Sequence, residues 1–99
     1  MKTVDRGAAL LDEVYGPEWD ERIDLERLNL SSICNCVLGQ LHPRAENGYY
    51  RGLRVTGLGH SFPKSSSHGF TYGRHATFEQ LTNAWKRLIE RRRKARAVA

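Results

Sequence analysis

Apolar residues recur at helical spacing along most of the chain. Residues 5–15 predict a first helix, in which Leu10, Leu11, Val14 and Tyr15 form an apolar side supported by Ala8. Asp5 is its expected N-cap, and Gly16-Pro17 stops it. Pro17 then opens a short helical turn through Arg22, followed by an irregular stretch where Ile23, Leu25, Leu28 and Leu30 supply apolar contacts. Trp19 is the expected anchor of this stretch, being large and set among charges. Residues 32–41 predict a second helix capped by Ser31 or Ser32, with Ile33, Cys34, Val37, Leu38 and Leu41 as one broad stripe at the centre of the core. Gly39 would admit a close neighbour, and His42-Pro43 ends the helix.

Residues 47–58 fit two patterns. Asn47-Gly48 suits a cap or turn and Tyr49, Tyr50 and Leu53 suit a short helix, whereas Leu53-Arg54-Val55-Thr56 alternates like a strand; helix is favoured. Residues 60–76, rich in Ser, His and Gly, predict a loop of roughly 15 residues pinned by Phe70 and Tyr72. Residues 77–95 predict the clearest helix: Thr77 and Gln80 fit a capping box, Glu79 adds charge to the first turn, and Phe78, Leu81, Trp85, Leu88 and Ile89 share one stripe. The expected fold is therefore mainly α. It is a small single domain over residues 1–99, with three to four helices and a long Ser/Gly/His loop before a basic C-terminal helix. So short a chain has a thin core, and the Phe78/Leu81/Trp85/Leu88 stripe suits either closure of a monomer or a homodimer.

Charge adds an asymmetry. The 99 residues carry a net charge of +5, yet residues 1–30 hold four bases against eight acids, and residues 86–99 hold seven bases against Glu90 alone. Those seven, Lys86, Arg87, Arg91, Arg92, Arg93, Lys94 and Arg96, are the strongest functional signal, because clustered arginines suit phosphates and other anions. The plainer alternative is that the two ends attract each other within one fold. The aromatics Trp19, Tyr49 and Tyr50 are candidate contacts for a protein partner wherever they are exposed. No segment approaches a membrane span and no apolar run follows Met1–Arg6 as a secretory signal would require, so a cytoplasmic setting with reduced thiols and no membrane partner is expected.

Candidate chemistry is sparse. Cys34-x-Cys36 lacks redox spacing, and with His42, His60, His68 and His75 unpaired it makes a poor zinc site; the plain reading puts Cys34 in the core and Cys36 at its flank. Ser65-Ser66-Ser67-His68 sets hydroxyls beside an imidazole, but no nucleophile elbow, phosphate loop or complete dinucleotide fingerprint accompanies it. No metal, no cofactor and no enzymatic activity are expected.

The runs Ala9-Leu10-Leu11-Asp12-Glu13, Trp19, Ile23-Asp24-Leu25, Cys36-Val37-Leu38-Gly39-Gln40-Leu41 and Leu81-Thr82-x-x-Trp85, followed by Arg91-Arg92, resemble a group of small proteins encoded by actinobacteria and their phages. The resemblance implies a helical fold, a phage or prophage setting and action by binding a host protein, in some cases slowing host growth. That group has a cysteine where this chain has Ile33, which departs further from a paired-cysteine metal site. The leading expectation is thus a phage-type accessory protein that binds a host protein. The alternative is a nucleic-acid-binding module using the basic helix.

Overall fold

The computed structural model describes residues 1–74 and 76–98. Among them the chain is mainly helical, with α1 at Lys2–Tyr15, a 3-10 turn at Trp19–Arg22, α2 at Val37–Leu41, α3 at Gly48–Val55, α4 at Phe62–Ser67 and α5 at Phe78–Val98. No helix of the described residues is long and apolar enough to cross a membrane.

The first helix starts earlier than its expected cap, leaving Asp5 inside the first turn and Met1 as N-cap. Its buried face is Val4, Gly7, Ala8 and Leu11, at i, i+3, i+4 and i+7, so the helix turns its narrow side inward; Val14 is exposed, and Leu10 and Tyr15 are half-buried. Gly7 explains the rotation. A Cβ there would lie 2.9 Å from the Trp85 ring and overlap the His68 carbonyl, so α1 approaches its neighbours along the one line a glycine permits. The helix ends where Gly16 takes φ 87°, its N–H donating to the Asp12 carbonyl at 3.1 Å.

The helix expected over residues 32–41 forms only from Val37. Carbonyls needed for an earlier start accept elsewhere: Ile33 from the Tyr49 N–H and Asn35 from the Asn29 N–H, each at 3.1 Å. Ser32 Oγ accepts from the N–H groups of Cys34 and Asn35, making a local turn that stops there. Ile33 and Cys34 are therefore exposed, contrary to their expected place in the stripe. The roles of the cysteines are reversed as well. Cys36 is buried and caps α2, its Sγ accepting from the Gly39 N–H at 3.2 Å. Burial pushes its thiol up to about 11, against the lowering effect of its backbone hydrogen bonds.

Within the 47–58 segment Gly48–Val55 is helical, with Asn47 Oδ1 accepting from the Tyr50 N–H. Helices α2 and α3 pack at short range because Gly52 has no side chain; a Cβ there would sit 2.6 Å from Leu38 Cβ. The long loop expected over 60–76 contains α4, capped by Ser61 Oγ on the Lys64 N–H, with Pro63 in the first turn where its missing N–H costs nothing. Phe70 pins the following segment by stacking on Trp85 at 5.6 Å, but Tyr72 remains half exposed.

The capping box of α5 is present: Thr77 Oγ1 accepts from the Gln80 N–H at 3.1 Å and Gln80 Oε1 from the Thr77 N–H at 2.9 Å. Trp85 is fully buried, edge-on to Trp19 at 5.9 Å, and its Nε1 donates to the Gly69 carbonyl at 2.7 Å. Leu81, Trp85, Leu88 and Ile89 are buried within the single chain and Phe78 is half-buried against them, so this stripe serves to close the core.

Candidate functional site

The basic helix end divides into two faces. Continuing the register of Trp85, Leu88 and Ile89 by one more turn puts Arg92, Arg93 and Arg96 on the inward side. There they meet the acidic N-terminal segment. Arg92 Nη2 donates to Asp12 Oδ1 at 2.6 Å, and its Nε to Asp20 Oδ2 at 2.5 Å. The Arg92 guanidinium lies 5.0 Å over the Trp19 ring, whose Nε1 donates to the same Asp12 oxygen at 2.8 Å. Arg93 Nη2 donates to the carbonyls of Asp20 and Ile23. Arg96 pairs with both Asp20 and Glu21.

Asp20 is the centre of this clamp, with no solvent exposure. Burial alone would raise its carboxyl, but hydrogen bonds and charge from Arg96 and Arg92 outweigh it and hold the group below its ordinary range. Three of the seven cations expected to face a partner are thus structural. Of the rest, Lys86 is half-buried, while Arg87, Arg91 and Lys94 are exposed and form no ion pair among the described residues.

The aromatic candidates divide too. Trp19 is buried beneath Arg92 and is unavailable to a partner. Tyr49 is half-buried, its hydroxyl hydrogen-bonded to Ser65 Oγ at 2.5 Å. Tyr50 is exposed, its ring 5.0 Å from that of His60. Two further exposed rings were not among the expected contacts: Phe62 and Tyr72, packed edge-to-face at 5.1 Å.

Phe62 borders a groove of about 660 Å³ between the start of α1, α4 and residues Thr71, Gly73, Arg74 and Ala76. Lys2, Arg6 and Arg74 line it, and none of its lining residues is acidic. Ser66, Ser67, Thr71 and Thr3 add hydroxyls; Thr3 Oγ1 is buried and has no hydrogen-bond partner among the described residues. Arg6 is fixed across the groove by donating from Nη1 to the Ser67 carbonyl at 2.8 Å. The groove was hidden in the sequence because α4 reads as loop; Lys2 and Arg6, four apart on α1, were the available sign.

A second hollow, about 460 Å³, is lined by Arg22, Arg44, Arg51 and His42. Tyr15 Oη lies 2.6 Å from His42 Nε2. Burial, then Arg22 and Arg51, lowers the affinity of His42 for a proton. Among the described residues no three His, Cys, Asp or Glu side chains converge as a ligand set, and His75 lies outside those residues. No protein family, curated protein or solved structure matches the chain.

Proposed function

We propose that this chain is a phage-type accessory protein, working in the cytoplasm of its bacterial host, that acts by binding a host protein rather than by catalysis and thereby slows host growth. The phage setting and the effect on growth rest on the resemblance described above. The observation that carries the binding reading is the set of aromatic rings left at the surface. Tyr50, Phe62 and Tyr72 are 47%, 48% and 50% exposed, in a chain whose core holds Trp19, Trp85 and Phe70 almost completely. A half-exposed ring forgoes burial worth on the order of 1 kcal/mol, and a neighbouring protein surface can supply that burial. Phe62 and Tyr72 also touch each other, which gives one patch rather than scattered residues. The nucleic-acid alternative has less behind it, since Arg92, Arg93 and Arg96 face the chain's own acids and backbone carbonyls.

The test is capture from actinobacterial lysate on the immobilised protein, beside a Phe62→Ser/Tyr72→Ser variant shown by circular dichroism to be folded. The expected result is a host protein retained by the parent, lost by the variant, and bound again when purified. Identical capture by both, or none by the parent, overturns the reading.

A further inference from the structure

We propose that the groove between α1 and α4 receives an acidic peptide segment, one in which carboxylates flank an apolar side chain; this deepens the protein-binding reading and rests on it. Charge complementarity selects the occupant. Lys2, Arg6 and Arg74 line the groove without a carboxylate among them. Three of the N-terminal acids are already held elsewhere, Asp12 and Asp20 by Arg92 and Glu21 by Arg96. Among the described residues Lys2, Arg6 and Arg74 form no ion pair, so the groove keeps a net positive field.

The detail of the walls fits a carboxylate. Arg6 is oriented by its bond to the Ser67 carbonyl, which leaves the rest of its fork to a ligand. Thr3 borders the groove, its Oγ1 buried and without a hydrogen-bond partner among the described residues. Phe62 and Pro63 supply exposed apolar wall in the same groove as the cations, which suits a Leu or Phe side chain on the same segment. A nucleic-acid strand needs cations in a continuous track. Here the exposed Arg87 and Lys94 lie on the side of α5 away from the buried Leu81, and Arg91 borders a separate hollow with Asp5 and Asp12, so they do not extend the groove's charge. Its volume, about 660 Å³, also suits a few side chains rather than a duplex.

The test is fluorescence anisotropy with the full chain and a labelled peptide, Glu-Glu-Leu-Phe-Glu-Glu, against the same peptide with every Glu replaced by Gln. The acidic peptide is expected to bind about ten-fold tighter or more, with affinity falling as salt rises. Lys2→Gln/Arg74→Gln, both at exposed positions, should weaken binding several-fold with circular dichroism unchanged, and adding Arg6→Gln should weaken it further. Equal binding of the two peptides, or binding that ignores Lys2→Gln/Arg74→Gln, overturns the proposal. So does a single-stranded oligonucleotide that binds the groove more tightly than the acidic peptide. If a captured host protein binds Lys2→Gln/Arg74→Gln as well as the parent, the groove assignment falls while the protein-binding reading stands.

Discussion

Replacing Asp20 by Asn tests whether the arginine clamp is structural. Asn keeps the shape of the side chain and removes the charge that Arg92 and Arg96 face. Cutting one partner from a fully buried ion pair costs about 3–5 kcal/mol. The site here is buried on one side only: Asp20 is 0% exposed, whereas the Arg92 and Arg96 side chains are 25% and 36% exposed and can regain water. The expected loss is therefore at the lower end, about 2–3 kcal/mol, which for a domain of this size lowers Tm by about 10–20 °C. Thermal melting followed at 222 nm, roughly the helix band, reads it directly, and acid titration adds a signature. The folded-state carboxyl lies below its ordinary value of 3.8, so its contribution is present above that value and is lost as pH falls through the lower, folded one. The parent should lose stability on acidification below about pH 4 more steeply than the Asn variant. A Tm change of less than about 3 °C, or parallel acid profiles, would show that the clamp is a solvated ion pair of little consequence.

Further outcomes follow from the core and the caps. Trp85→Ala removes the ring between Trp19 and Phe70 and leaves the Gly69 carbonyl without its donor, so a loss of about 3–5 kcal/mol in urea denaturation is expected. Thr77→Ala breaks the capping box and should lower stability by about 1 kcal/mol in the same assay. At about pH 8 iodoacetamide should modify only Cys34 in the folded protein and reach Cys36 only on unfolding, as mass spectrometry of labelled protein can check; two modified thiols without unfolding would contradict the buried cap. Charge reversal of Arg91 and Lys94 should leave Tm nearly unchanged, in contrast to reversal of Arg92 and Arg93.

What the sequence made legible were features held by neighbours along the chain. The α5 capping box and its stripe, the Gly16 stop and the Asn47 cap are all local, and each is where the pattern puts it. The errors arise where distant groups intervene. The start of α2 is delayed because Tyr49 and Asn29 take the carbonyls an earlier turn would need. The rotation of α1 comes from Trp85 and His68 against Gly7, which no periodicity within α1 reveals. The short α4 carried its signs, Ser61 and Pro63, but its Ser-rich body has no apolar stripe to mark it. The inward arginines were readable, since the Trp85–Leu88–Ile89 register points at Arg92, Arg93 and Arg96; as a bare run of like charge they resemble a solvated surface. The groove became visible only with α4 in place beside Lys2 and Arg6.

The clamp also orders events during synthesis. Arg92 lies 72 positions after Asp20 and 80 after Asp12, so these acids leave the ribosome long before the side chains that neutralise them. Bringing such distant points together carries a closure entropy of ~4 kcal/mol, which the nascent chain meets only when α5 emerges. Until then the N-terminal segment stays hydrated by its own unpaired carboxylates, and Trp19 lacks both the guanidinium over it and the ring of Trp85 beside it. The fold is closed by α5, a helix made after the elements it packs against, and translation halted before Arg92 leaves a chain that is acidic in its N-terminal segment and open at its core.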